Sequence, residues 1–148
     1  GLPVDESLIR VGDYTLEGGY RAMRLLLENE NPPTAVFIAN NVMTLGALQF
    51  LNERGFDIPG DLAVIGYDDM PWAASLRPPL TVVAQPDYEI GVLAARLMLD
   101  RIREPESSVK HITLEARLIV RASCSCCDER GQTRSGRSGE RSVVPATT

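Results

Sequence analysis

Cysteine is missing from the first 123 residues of this sequence. All three thiols, Cys124, Cys126 and Cys127, fall in one cluster near the end. That distribution excludes a disulfide scaffold and fits a reducing compartment, the cytoplasm. Histidine occurs once, at His111. Zinc sites usually draw about four ligands from two pairs with a loop between them, so neither a metal nor a cofactor is expected, and the thiol cluster reads as incidental. Long apolar runs are also lacking. Nothing approaches the ~20 residues that span a bilayer, so no membrane association is expected. Gly1-Leu2-Pro3-Val4-Asp5 has no charged stretch followed by an apolar one, so it does not read as a signal peptide. A first residue other than Met suggests a chain that begins partway through a longer protein.

Basic residues are in the minority, with 15 Lys and Arg against 20 Asp and Glu, for a net charge of −5 over 148 residues. An acidic surface is poorly suited to displacing counterions from nucleic acid, so direct DNA contact is not expected of this chain. Catalytic signatures are lacking too. There is no Gly-x-Gly-x-x-Gly, no phosphate loop and no Gly-x-Ser-x-Gly elbow. His111 falls in an expected strand with no Ser or Cys partner. Asp68 and Asp69 could form an acid–base pair, but neighbours on an extended chain point to opposite sides. An enzyme is not expected.

What remains is an ordinary globular composition, 44% hydrophobic and 24% charged. From Asp128 onward the sequence is rich in Ser, Gly, Arg and Thr. It holds too little apolar surface to offset the entropy of ordering, so 124–148 is expected to be a disordered tail. The body alternates strand and helix patterns. Residues 8–11 read as a short strand. Thr15 can cap a helix whose apolar face is Leu16, Tyr20, Met23 and Leu27, and Asn31-Pro32-Pro33 ends it. Residues 34–39 form a continuous apolar strand of the kind buried on both faces of a parallel sheet. Asn40-Asn41 opens a helix over 42–54, closed by Gly55.

Residues 62–67 form the next strand, 68–79 are irregular, and 80–84 form another strand. Ile90, Leu93, Ala94, Leu97, Met98 and Ile102 mark a long amphipathic helix over about 87–103. Alternating Ile112, Leu114, Ala116, Leu118 and Val120 predict a last strand over 111–121. The order β-α-β-α-β-β-α-β gives an α/β fold with a mainly parallel sheet flanked by helices. No internal repeat is evident.

In open α/β sheets, ligands bind beyond the carboxyl ends of the strands. Asp13 and Tyr14 follow the first expected strand, Asn40 and Asn41 the second, Asp68 and Asp69 the third, and Gln85 the fourth. Carboxylates and amides pair with neighbouring hydroxyls, and a flat ring packs on an apolar sugar face. Taken singly, Asn40 or Asn41 could only cap a helix, Asp68 only a turn, and Tyr14 could be an edge residue of the core. Their convergence on one sheet edge favours a polyhydroxylated or otherwise polar small ligand.

Five segments, in order, resemble the lactose-repressor/galactose-repressor (LacI/GalR) family of bacterial regulators. These are Gly12-Asp13-Tyr14 with Gly18-Gly19-Tyr20-Arg21-Ala22-Met23, then Pro33 through Leu48, which contains Ala39-Asn40-Asn41-Val42-Met43-Thr44-Leu45-Gly46. Ile58-Pro59-Gly60-Asp61 leading to Ile65-Gly66-Tyr67-Asp68-Asp69 follows. Next comes Pro78-Pro79-Leu80-Thr81 with Gln85-Pro86 and Gly91, and last Leu118-Ile119-Val120-Arg121-Ala122-Ser123. The resemblance covers roughly residues 5–123.

It implies the C-terminal lobe of a type I periplasmic-binding-protein-like fold. Residues 1–85 would form that lobe, 86–104 a helix crossing to an N-terminal lobe absent from this chain, and 105–123 a returning strand. It implies the effector-sensing part of a cytoplasmic regulator that reaches operator DNA only through a helix-turn-helix absent from this chain. A solute-binding protein of a sugar ABC importer shares the fold and stands as the other reading. Tyr14, Asn40, Asp68 and Gln85 would hold a small-molecule effector, a carbohydrate by preference. Leu45, Leu48, Gln49, Trp72 and Leu76 match positions through which the family forms homodimers or dimers of dimers; ordinary core packing is their other reading. One departure stands out: the family commonly has Asp where this chain has Asn41.

Overall fold

The computed structural model describes residues 3–124. Helix α1 (Leu16–Leu27) begins as expected at Thr15, whose hydroxyl accepts the Gly18 N–H. Strand β1 (Ala35–Phe37) follows. Helix α2 (Asn41–Glu53) is capped by Asn40, and Gly55 beyond it takes the left-handed backbone, φ 71°, that ends a helix. Strand β2 (Ala63–Tyr67) comes next. A single 3-10 turn at Ala73–Ser75 interrupts the irregular stretch before β3 (Thr81–Ala84). Helix α3 (Asp87–Arg103) occupies the expected residues, and β4 (Arg117–Ile119) is the last element.

The sheet order is β1-β2-β3-β4. The first three strands run parallel, and β4 lies antiparallel to β3 through Val82 opposite Ile119. The architecture is the expected mainly parallel α/β sheet. Its core lies between α2 and one sheet face, where Leu51, Leu62, Val64, Leu80 and Val82 are sealed from solvent beside Phe50, Ile38 and Met23. Burying one such aliphatic side chain contributes roughly 1.5–3 kcal/mol. Helices α1 and α2 meet at glycines: a Cβ on Gly46 would strike the Leu16 carbonyl, and one on Gly19 would strike the Met43 backbone.

Several expectations are corrected. Residues 8–11 form no strand. The Asp5 side chain accepts the Ser7 N–H and closes a 3-10 turn at Glu6–Leu8, and beyond it Ile9 and Val11 stand exposed with no ladder partner. β1 is not covered on both faces, because Phe37 is 54% exposed on the face away from α2. Apolar content signalled a strand there, but covering the second face depends on elements that none of the described residues supply. The last strand is three residues long rather than eleven, and His111 lies exposed outside it. Alternation alone does not make a strand where no neighbour offers hydrogen bonds.

The boundary at 124 also moves. Ser123 and Cys124 are buried. The Ser123 hydroxyl accepts the Thr81 N–H at 2.8 Å and donates to the Val64 carbonyl at 2.6 Å, while the Ser123 carbonyl accepts the Val64 N–H. The Cys124 Sγ lies 3.2 Å from the Thr81 hydroxyl. The chain after β4 therefore continues the ladder of β2 just before β3 begins. Cys126, Cys127 and the remainder of the expected tail lie outside the described residues.

Candidate functional site

Strand β2 ends at Tyr67, and the chain turns at once. Asp68 has φ 69°, in the left-handed region that non-glycine residues rarely enter. The Asp68 N–H donates to the Val83 carbonyl on β3, which fixes the turn. The carboxylate is held from two sides. Gln85 Nε2, just past the end of β3, donates to Oδ1 at 2.7 Å. Asn41 Nδ2, on the first residue of α2, donates to Oδ2 at 3.2 Å. Three segments distant in sequence thus meet on one carboxylate at the C-terminal edge of the sheet.

Asp69 has separate partners. Arg121 grips its carboxylate with both terminal guanidinium nitrogens, Nη1 and Nη2, at 2.8 and 2.9 Å, with the two side chains only 17% and 28% exposed. The neighbouring acids therefore divide their work. Asp69 ties the turn to the chain after β4, whereas Asp68 faces the sheet edge with amide partners only.

Tyr14 is the other non-glycine residue with a left-handed backbone, φ 61°. The residue is 75% exposed, and no hydrogen bond joins it to the Asp68 cluster among the described residues. Its segment is held at both ends. Gly12 lies so close to the Met43 side chain that a Cβ there would collide with it. Asp13 accepts the Thr15 hydroxyl at 2.6 Å and backbone N–H at 3.2 Å, and pairs with Arg21 at 3.2 Å. The Thr15 hydroxyl, then its N–H, and to a smaller degree Arg21 hold the Asp13 carboxyl below the usual carboxylate range. Strained non-glycine residues persist where the surroundings over-determine them, often at ligand sites.

Of the four expected ligand residues, Asp68 and Gln85 are brought together. Asn40 Oδ1 accepts the N–H groups of both Val42 and Met43 at 3.0 Å, so its side-chain oxygen caps α2. Asn41, placed by the sequence at the sheet edge and as a possible cap but not among the four expected ligand residues, is the amide that reaches Asp68. Two consecutive asparagines at a helix start signalled a cap and a spare amide, but not which was which.

The expected dimer residues also divide. Leu48, Trp72 and Leu76 pack partly buried against the core. Leu45 is 38% exposed, and Gln49 donates to Glu53 on the surface of α2 at 2.8 Å. Among the described residues no group of His, Cys, Asp or Glu gathers as a metal site, and no helix is long and apolar enough to cross a membrane.

The family model described as a periplasmic binding protein-like domain matches residues 1–124. The chain is 42% identical over 123 residues to the HTH-type transcriptional repressor CytR of Escherichia coli (strain K12), covering 83% of this chain and 36% of that protein. The chain belongs to the periplasmic binding protein-like family, and within it to the LacI/GalR type. Among solved structures, the transcriptional regulator CelR–cellobiose complex superimposes with a TM-score of 0.76 at 41% identity, covering 82% of this chain and 37% of that one. A LacI family regulator from Enterococcus faecium with bound ribose gives 0.68 at 35% identity, covering 76% and 41%. The chain spans about a third of the length of the curated relatives it matches. Membership agrees with the mainly parallel sheet and with the motif order in the sequence.

Proposed function

We propose that this chain is the effector-sensing portion of a LacI-type transcriptional regulator, and that its ligand is a sugar or a related polar molecule bound at the C-terminal edge of the sheet. The observation that carries the ligand site is the Asp68 carboxylate, set in a left-handed turn and held by Asn41 and Gln85. Each carboxylate oxygen retains acceptor capacity after receiving one amide, so the site asks for hydroxyl donors. Relatives in the same family are caught with ribose and with cellobiose, which supports a carbohydrate.

In this proposal Asp68 and Gln85 contact the effector, Tyr14 supplies an aromatic surface, and Asn40 contributes chiefly by setting the start of α2. Residues 1–85 act as one lobe, 86–104 pass toward a second lobe, and 105–123 return. Ligand closes the two lobes, and closure changes how DNA-binding heads elsewhere in the regulator are spaced. The regulator works in the cytoplasm as a dimer, with Leu45 and Gln49 on the exposed side of α2 at the contact, and it carries out no catalysis. The transcriptional regulators among the relatives favour this over an importer's solute-binding protein.

The test is calorimetric titration of the complete gene product with ribose, cellobiose and related sugars. Asp68→Ala is expected to weaken binding roughly 10-fold or more, since hydrogen bonds to a charged group are worth about 1.5–3 kcal/mol. Unchanged affinity would remove Asp68 from the site. A coding sequence that places a secretory signal and no helix-turn-helix ahead of this chain would overturn the regulator and favour the importer protein.

A further inference from the structure

We propose that Asn41 is the positioning residue of the Asp68 site: its neutral side-chain amide holds the carboxylate ready for ligand, while the helix-capping task falls wholly to Asn40. The proposal rests on the reading that Asp68 faces the effector. Asn40 Oδ1 already accepts the Val42 and Met43 N–H groups, so the Asn41 side chain is not needed to start α2. It reaches instead across 27 positions of sequence to Asp68 Oδ2.

The two amides on Asp68 are not equivalent. Asn41 is half-buried, while Gln85 is exposed. The Gln85 bond to Oδ1 is therefore the one open to exchange with a ligand hydroxyl or with water, and the Asn41 bond to Oδ2 is the fixed one. With one oxygen anchored, rotation of the carboxylate is restrained and Oδ1 is presented toward the edge. Pairing with an uncharged amide also leaves a single negative charge at this point. The adjoining Asp69 is bound by Arg121, and among the described residues no Lys, Arg or His pairs with Asp68. Such a site suits a neutral polyhydroxylated ligand rather than an anionic one.

An acid in place of Asn41 would put two carboxyl groups about 3 Å apart, a separation at which both do not ionise independently. The fold is expected to accept that change, because a negative side chain is favourable in the first turn of a helix. The decisive measurement is an NMR pH titration of the full chain, following the Asp68 carboxyl carbon and the side-chain amides of Asn41 and Gln85. In the unaltered chain, the Asn41 amide signals are expected to move with the Asp68 titration. In Asn41→Asp, the Asp68 signal is expected to titrate in two steps separated by about a pH unit or more, the mark of coupled carboxyls.

A single ordinary step in Asn41→Asp, or Asn41 amide signals indifferent to Asp68, would overturn the proposal. A purely structural Asn41 would move neither readout. Should Asn41→Asp fail to fold, the amide signals of the unaltered chain still decide. Ribose and cellobiose added to the unaltered chain read the effector proposal independently. If no signal responds to sugar while the carboxyl coupling holds, the effector reading fails and the positioning role of Asn41 stands.

Discussion

The stretch from α1 to β3 and the stretch from α3 to β4 have similar apolar patterns and opposite fates. Every residue of the main apolar core cluster lies between Met23 and Val82. Helix α3 is seventeen residues long and contributes no buried side chain. Its Met98, Leu99 and Ile102 are 66%, 53% and 68% exposed, although their spacing marks one apolar face. An amphipathic pattern says that a helix has a face to bury. It does not say that the covering surface lies within the same stretch of chain. The first region satisfies its pattern internally, through α1 on α2 and α2 on the sheet. The second does not.

The sharpest test of that contrast is one substitution made in both regions. Leu51→Ala in α2 removes a side chain with no exposure and is expected to cost about 2–5 kcal/mol by denaturant unfolding. Leu99→Ala in α3 is expected to stay within about 0.5 kcal/mol, as at most surface positions. Equal losses would mean that α3 packs in solution and would break the comparison. Gly46→Ala is expected to cost about 1–3 kcal/mol, because the added methyl meets the Leu16 backbone rather than a side chain that could turn away. The same denaturant curves check it.

Ser123→Ala tests how far the packed region extends. The change leaves the Thr81 N–H and the Val64 carbonyl without the hydroxyl that joins them, so a loss of about 1–3 kcal/mol is expected. No loss would show that the Ser123 hydroxyl does not tie the end of the chain to β2 and β3. The smallest effect concerns the exposed edge that carries Tyr14. Asp13 is held below its unfolded carboxyl range by Thr15 and Arg21. Its stabilising contribution is therefore present above the unfolded value, near pH 4, and is lost as pH falls through the lower folded value. Thermal midpoints measured against pH should decline slightly less on the acid side for Asp13→Asn than for the unaltered chain. Parallel curves would show that the Asp13 contacts do not contribute.

Much of the fold was legible because it depends on local signals. Thr15 as a cap, an asparagine cap at Asn40 or Asn41, Gly55 as a stop and the span of α3 all follow from side chains acting within a few residues of themselves. The motif order carried the family. The expected strand at 8–11 failed because strand formation needs a partner, and the nearest carboxylate, Asp5, offered the backbone a turn instead. Within the candidate site, Asp68 and Gln85 were legible from their place after strands. The exchange of roles between Asn40 and Asn41 was not, since both amides occupy the same helix start and differ only in which way the side chain leaves the backbone.

The sequence by itself therefore determined the helices, the strands that follow α1, their order and the acidic, amide-rich edge, because each depends on neighbours along the chain. Only the tertiary structure decided that Cys124 belongs to the body, that the Ser123 hydroxyl bridges Thr81 and Val64, that Asp69 is tied to Arg121, and that Asn41 rather than Asn40 holds Asp68. Those pairings join residues 27 to 59 positions apart. Partners at that separation are chosen by the packing of the sheet and helices, and no local pattern encodes them.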